Sequence, residues 1–185
     1  MIEKSTLRAQ LKRAWQNTIK DKYLTQQINS EHGLQAHLCA ALLAQFNDSN
    51  MSGRRRVFVE PSLRLPDGSV RFPDIVICDS NHVVGIVELK YTPRGRPYRL
   101  DLVKDMETLT LALKYSNDLR IFNERFLGKL VKKHEYPLAA NAVLCWAGVY
   151  AGSKLDLVSA DSDQEFGKRF LQLNALTRKD LEPTF

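Results

Sequence analysis

Three stretches of the chain carry apolar residues at the spacing of an amphipathic helix. They run from Ser5 to about Gln26, from Ser30 to about Phe46 and from Leu100 to about Tyr115. Apolar side chains that recur every three or four residues line one face of a helix, and that face packs against a core. The periodic positions are Leu7, Leu11, Ala14, Trp15 and Ile19 in the first stretch, Leu34, Leu38, Ala41 and Leu42 in the second, and Met106, Leu109 and Leu113 in the third.

Short apolar runs between turn-forming residues predict four strands. These runs are Val57 to Val59, Ile75 to Cys78, Val83 to Leu89 and Ala139 to Tyr150. Runs of this length, rich in β-branched residues, are typical of buried strands. The polar residues 79–82 lie between the second and third runs, so these two strands are predicted to form a β-hairpin.

Two more helices complete the predicted element order. One covers Asn117 to Lys133, which is poorly patterned, and the other begins at the capping-box pattern Ser162-Asp163-Gln164-Glu165 and extends to about Leu176. The order is therefore two helices, three strands, two helices, a strand and a helix (α-α-β-β-β-α-α-β-α). This order predicts an α/β (α+β) fold, with a mixed central sheet of about four strands flanked by helices.

The central hairpin carries charged residues at one of its ends. A turn centred on Asn81 places Asp74 directly opposite Glu88, and Lys90 then lies on the same face as Glu88. The run Val83 to Leu89 is almost wholly apolar, which is typical of a central strand, where an unpaired glutamate is costly. A solvated cross-strand pair is the alternative interpretation, but the clustering of the charges at one end disfavours it.

These residue types together suit metal-assisted hydrolysis. Two adjacent carboxylates repel each other unless a cation or a proton lies between them. Carboxylate oxygens are good ligands for Mg²⁺, and a neighbouring lysine can orient or deprotonate a water molecule. We therefore expect Asp74, Glu88 and Lys90 to hydrolyse a phosphodiester with the help of a bound metal ion.

The motif Pro73-Asp74, followed after a hairpin by Glu88-Leu89-Lys90, resembles the PD-(D/E)xK nuclease superfamily. This superfamily includes type II restriction enzymes, archaeal Holliday-junction resolvases and many repair and phage nucleases. Its core order of helix, three strands, helix and strand is similar to the predicted order over residues 30–150, with 117–133 as a departure. The resemblance implies a restriction-endonuclease-like core, Mg²⁺ that Mn²⁺ can replace, and products that carry a 5′-phosphate.

The resemblance also implies roles for individual residues. Asp74, Glu88, Glu31 and the backbone carbonyl of Leu89 would hold the metal, and Lys90 would orient or activate the attacking water. Lys104, on the helix that follows the motif, would have an auxiliary role. Two simpler interpretations remain open, because Glu31 suits a helix N-terminus and Lys104 can form an ion pair within its own helix.

Two basic segments are candidate nucleic-acid contacts. The first is a loop that ends in Arg54, Arg55 and Arg56. The second, from Tyr91 to Arg99, is predicted to be a loop beside the metal site and contributes Arg94, Arg96 and Arg99. Basic residues interleaved with aromatics suit a phosphate-bearing polymer. Solvated basic loops are the alternative for both segments.

Composition narrows the class of protein. The chain of 185 residues has a net charge of +6 and a mean hydropathy of −0.31, which permits a phosphate-rich partner without requiring one. We expect one core domain over residues 30–176, with an N-terminal helix (1–29) packed on it and a polar tail (177–185). Three separated cysteines predict neither a zinc site nor a disulfide framework. With no signal peptide or membrane span expected, a cytoplasmic location is predicted.

The functional expectation is a Mg²⁺-dependent endo- or exodeoxyribonuclease in repair, recombination or phage defence. DNA is favoured over RNA by the resemblance alone, and the sequence leaves dimerisation open. No helix-turn-helix or zinc finger is seen, so we expect structure-dependent or weakly specific cleavage. The alternatives are a catalytically silent module that binds nucleic acid or protein on the same fold, and an enzyme acting on a small phosphorylated substrate.

Overall fold

The structure is a computed structural model. It describes residues 6–48, 55–116, 120–127, 130–157, 166–177 and 183–184. In these ranges the chain forms a mixed α/β fold, as the apolar pattern predicts. Every helix of the part of the chain that the structure describes is too short or too polar to cross a membrane.

The helices and strands of the described ranges have the following bounds. The helices are α1 (Leu7–Asn17), which continues into a π-helical turn (Thr18–Tyr23), α2 (Glu31–Asp48) and α3 (Arg99–Lys114), with a 3-10 turn at Gly167–Arg169. The strands are β1 (Arg56–Val59), β2 (Leu63–Arg64), β3 (Val70–Arg71), β4 (Ile75–Cys78), β5 (Val83–Thr92), β6 (Arg120–Leu127), β7 (Leu130–Tyr150), β8 (Phe170–Leu176) and β9 (Pro183–Thr184).

The nine strands of the described ranges form one mixed sheet, and β5 and β7 lie at its centre. On one side of β5, the strands β4 and β1 follow in antiparallel pairing. On its other side, β7 runs parallel to β5, and β8 runs parallel to β7. The first part of the long strand β7 pairs with β6, which extends through β2 to β3.

Helices cover both faces of the sheet. Alternate residues of a strand point to opposite faces, and this alternation divides the core into two clusters. Leu89 and Ala147 face α1 and α2, where they pack with Trp15 and Leu38. The opposite face of the sheet packs against α3. The core cluster on this face includes Val76, Ile86, Leu144 and Trp146 of the sheet and Leu109 and Ala112 of α3.

The helices predicted from apolar periodicity lie within a few residues of α1, α2 and α3. Thr6 caps α1, because the Thr6 hydroxyl accepts a hydrogen bond from the Ala9 amide at 3.3 Å. The hairpin register is also confirmed, since Ile75 pairs with Val87 and Ile77 with Gly85, as a turn centred on Asn81 requires.

The predicted helix from Asn117 to Lys133 is wrong for the residues that the structure describes there. These residues form β6 and the beginning of β7, which pair in antiparallel register. The partners Ile121 and Tyr136 are both buried in the core. Charged residues around these two positions obscure the alternation that is typical of a strand. Strand β6 is stabilised by pairing with β7, which is a tertiary contact. Strand β7 therefore begins nine residues before the predicted Ala139.

The predicted last helix, from Ser162 to Leu176, is also wrong over the described part. Residues 162–165 lie outside the described residues, and after the 3-10 turn the chain forms β8. Leu171, Leu173 and Ala175 are buried on one face of β8, and polar residues alternate with them. That period of two is typical of a strand. β9, within the predicted polar tail, pairs with β8, and the sheet exceeds the four strands predicted.

Candidate active site

The β4–β5 hairpin places Asp74 beside Glu88. Asp74 immediately precedes β4, and its Oδ2 accepts a hydrogen bond from the amide of Leu89 on β5. The carbonyl oxygen of Asp74 accepts hydrogen bonds from Gln35 Nε2 at 2.9 Å and from the Glu60 amide at 3.1 Å. Contacts from α2, β5 and the end of β1 thus hold this aspartate in place.

Burial raises the pKa values of both carboxyl groups. Glu88, only 5% exposed, has its pKa raised to about 10 by desolvation and then by the negative charges of Asp74 and Asp105. Desolvation also raises the pKa of Asp74 to about 6, although the Leu89 amide opposes this shift. The two groups therefore form a carboxyl pair whose full ionisation requires a compensating positive charge.

Lys90 lies between two further carboxylates. Its Nζ is 3.4 Å from Asp105 Oδ2 and 3.9 Å from Glu31 Oε2. Burial alone would lower the pKa of Lys90, but the charges of Asp105 and Glu31 outweigh this effect and raise the pKa. The side chain therefore carries an ammonium group with fixed neighbours.

Glu31 links the start of α2 to the end of β5. It is the first residue of α2, and its Oε2 accepts a hydrogen bond from the Tyr91 amide at 2.9 Å. The Tyr91 hydroxyl in turn donates to the carbonyl oxygen of Ile28 at 3.0 Å. Because these contacts join the helix to the strand, Glu31 is held near Lys90.

Asp105 is the member of this cluster that the sequence analysis missed. It is 6% exposed on α3, and its Oδ2 accepts a hydrogen bond from Trp146 Nε1 at 3.2 Å. Burial raises the pKa of Asp105, and the charge of Lys90 opposes that shift. A signal for this position exists in the sequence, because Asp105 precedes the buried residues Leu109 and Ala112 by four and seven positions and so shares their helix face.

One cleft of about 370 Å³ brings the five predicted catalytic residues together. Its lining includes Glu31, Asp74, Glu88, Lys90 and Lys104. Lys104 is exposed on α3 and Asp74 is half-buried, whereas Glu88 and Asp105 are the buried carboxyl groups of the lining. Residues predicted from α2, β5, α3 and the position before β4 thus meet in a single concave site.

The structure places the first arginine group away from this cleft. Arg54 lies outside the described residues. Arg56 pairs with Cys78 in the β1–β4 ladder, at the turn end of the hairpin, and its guanidinium donates a hydrogen bond to the hydroxyl of Tyr136. The Arg55 guanidinium lies 5.3 Å from the centre of the Phe46 ring. Arg55 and Arg56 therefore pack against aromatic rings at the opposite end of β4 from Asp74.

The second arginine group follows β5. Tyr91 and Thr92, predicted to be part of the loop, still belong to β5. Arg94, Arg96 and Arg99 are exposed, and the structure places them between the end of β5 and the first turn of α3. None of the three contributes to the lining of the described cleft.

The donor set fits a hard cation. Within the described ranges, no three His, Cys, Asp or Glu side chains are grouped as they are around a metal ion. Mg²⁺, however, is commonly held by one or two carboxylates together with water and substrate phosphates, which is what Asp74 and Glu88 can supply. The structural observation that favours a cation there is the position of the two carboxyl groups, which the hairpin register brings together in one cleft. Leu89, whose backbone carbonyl is a predicted ligand, has a buried side chain, and its amide donates a hydrogen bond to Asp74.

Comparison with known proteins leaves the family of this chain open. No protein-family model matches the chain, and no significant match was found among curated proteins or solved structures. Inference about function therefore starts from the cleft residues themselves.

Proposed function

We propose that this chain is a Mg²⁺-dependent nuclease that hydrolyses phosphodiester bonds in DNA. The observation that carries the proposal is that the half-buried Asp74 and the buried Glu88 line one cleft together with Lys90. A restriction-endonuclease-like core is part of the proposal. It is supported by the succession of α2, β1, β4, β5, α3 and β7, with β2, β3 and β6 as additions to that order.

Asp74 and Glu88 would hold the cation, and Glu31 and the carbonyl of Leu89 are further candidate ligands. When bound, Mg²⁺ would polarise the phosphoryl group and stabilise the charge that develops on the leaving oxygen, and Mn²⁺ could replace it. Glu88 is only 5% exposed, and electrostatic interactions are stronger at sites that are shielded from water.

Lys90 would orient the attacking water molecule and stabilise negative charge near it. Asp105 and Glu31 hold its ammonium group, and an ammonium group donates hydrogen bonds but accepts none. Lys104, exposed at the same cleft, would contact a substrate phosphate. Arg94, Arg96 and Arg99 would contact the nucleic-acid backbone beside the cleft.

A second candidate function is a module that binds DNA, or a protein partner, without cleaving it. The observation that favours it is the pairing of Lys90 with two carboxylates, an arrangement that can be purely structural. The nuclease would cleave DNA in a reaction that depends on metal and on Lys90, whereas the binding module would not cleave DNA.

The test is cleavage of labelled single-stranded, double-stranded and branched DNA in Mg²⁺, Mn²⁺ or EDTA. We expect cutting in either metal and none in EDTA. Lys90→Ala should lower the rate about 10²- to 10³-fold, because the loss of one donor that stabilises developing negative charge usually costs about that factor. Lys20→Ala removes the same charge from an exposed position and should leave the rate unchanged.

Two results would contradict the nuclease. One is cutting that Lys90→Ala leaves intact, which points to a contaminating enzyme. The other is binding without any cutting in either metal, which would favour the second candidate.

A further inference from the structure

Phe72 is an aromatic residue left exposed at the edge of the cleft. It is 64% exposed, lines the cleft and lies two residues before Asp74. Val70, on the same wall, is 38% exposed. An exposed aromatic ring beside buried polar groups is typical of a surface that binds a ligand through ring contacts.

Two side chains that line the cleft from different elements approach each other. Arg71 on β3 and Glu107 on α3 both line it, and their side chains approach to 3.4 Å. Glu88, which also lines the cleft, is only 5% exposed. A volume of about 370 Å³ is at the small end of ligand pockets, which span about 300–1,000 Å³. Such a space suits one nucleotide-sized group better than a rigid duplex.

The cleft offers basic contacts for a phosphate beside its carboxyl groups. Arg71, Lys90 and Lys104 line it together with five acidic residues, and the exposed residues Arg94, Arg96 and Arg99 lie between the end of β5 and the first turn of α3. Grooves that combine positive charge with an aromatic stacking platform are typical of sites for single-stranded nucleic acid. In a duplex the faces of the bases are covered by their neighbours, so Phe72 could stack only on a base that is unpaired or displaced.

We infer that Phe72 stacks on a base of the substrate, and that the substrate is unpaired, single-stranded DNA. This inference rests on the proposed function for the identity of the polymer, but the stacking can be measured without cleavage. The inference specifies single-stranded DNA as the form that the cleft accepts and Phe72 as the side chain that selects this form.

The experiment compares three DNA probes of equal length: oligothymidylate, an abasic oligonucleotide with the same phosphates, and a duplex. Binding is measured by fluorescence anisotropy with Ca²⁺ in place of Mg²⁺, and a gel checks that each probe stays intact. The proteins are wild type, Phe72→Ala, Phe72→Trp and Leu43→Ala. Leu43 is an exposed apolar residue on α2 and serves as the matched control.

We expect wild type to bind oligothymidylate about fivefold or more tightly than the abasic probe, since stacking of a base on an aromatic ring is worth at least that factor. Phe72→Ala should abolish this preference and leave the affinity for the abasic probe unchanged. Phe72→Trp should keep the preference, as should Leu43→Ala. The duplex should bind more weakly than oligothymidylate.

A preference that survives in Phe72→Ala would overturn the inference, and so would a duplex that binds as tightly as the single strand or the absence of binding to all three probes. If cleavage occurs but Phe72 has no effect on binding, the nuclease stands and the inference fails. If Phe72-dependent binding occurs without cleavage, the inference stands and the nuclease fails.

Discussion

Glu88 shows how a single buried residue links stability to function. Its side chain lies on the central strand, and its pKa is raised to about 10 by desolvation and by the charges of Asp74 and Asp105. Without a cation, the folded protein therefore keeps a proton on Glu88 that the unfolded chain releases above pH about 4.5, the ordinary value for this group.

This difference predicts a decline in stability as the pH rises. A group whose pKa is higher in the folded state binds more protons there, so its contribution is fully present below the unfolded pKa and is lost as the pH rises towards the folded pKa. In EDTA we expect the free energy of unfolding to fall between pH 5 and pH 9, by up to about 1.4 kcal/mol per pH unit for one group. Urea unfolding at several pH values measures this slope.

Glu88→Gln should remove most of the decline of the free energy of unfolding with pH and raise the stability at pH 8. The amide keeps the size of the side chain without the charge. Asp21→Asn, at an exposed position near the end of the first helical segment, is the matched control and should leave the slope as it is in wild type. A wild-type protein whose stability is flat from pH 5 to pH 9 would contradict the prediction.

At the scale of the element, β7 supports the cleft through Trp146 and Gly148. A Cβ atom added to Gly148 would lie 2.8 Å from Cζ3 of Trp146 and closer still to Cη2, so the indole ring covers this glycine. The same ring donates its N–H to Asp105 and meets the Tyr150 ring edge to face at 5.9 Å. The absence of a side chain at Gly148 therefore allows Trp146 to hold Asp105 near Lys90.

Gly148→Ala should destabilise the protein by about 1–3 kcal/mol, the usual cost of overpacking a core. It should also lower cleavage, because a displaced Trp146 no longer holds Asp105. The measurements are urea unfolding and the cleavage rate. Gly95→Ala is the matched control, since a Cβ there meets no atom within 4 Å, and it should be close to neutral. Equal stability of the two variants would show that the ring can move aside without cost.

At the scale of the whole molecule, the first helix packs against one of the last strands. Trp15 of α1 is fully buried, and its Nε1 donates a hydrogen bond to the carbonyl oxygen of Asn174 on β8 at 3.4 Å. Leu11 of α1 and Leu173 of β8 belong to the same core cluster. Because these contacts join distant parts of the chain, we expect α1 and the sheet to unfold together.

Trp15→Ala should cost about 3–5 kcal/mol, as is usual when a large buried aromatic is truncated. The loss should appear in the single unfolding transition of the whole protein, monitored by circular dichroism. Leu24→Ala, at a half-exposed position after the π-helical turn, should change stability by less than about 0.5 kcal/mol. If Trp15→Ala leaves the main transition unchanged, then α1 is not part of the folding unit.

The sequence carries the local part of this structure. The three long helices follow from stripes such as Leu7, Leu11 and Trp15, because a period of 3.6 residues shows which face is buried. The hairpin register follows from the turn at Asn81, because strand pairing across a short turn is a local property. The positions of Asp74, Glu88 and Lys90 relative to one another depend only on that register, so they could be predicted before the fold was known.

Contacts between distant segments decided the strands and the cleft residues that local sequence patterns do not predict. The segments of β6 and β8 are predicted as helices, the first from a poorly patterned stretch and the second from the capping-box pattern before it, whereas pairing with β7 stabilises the extended form of both. Asp105 joins the cleft only because α3 packs over β5 and β7, and Arg55 and Arg56 lie away from it because β4 runs between them and Asp74. The sequence alone determined which residues could carry the chemistry, and the tertiary structure determined which of them meet, since only packing brings separate elements into one cleft.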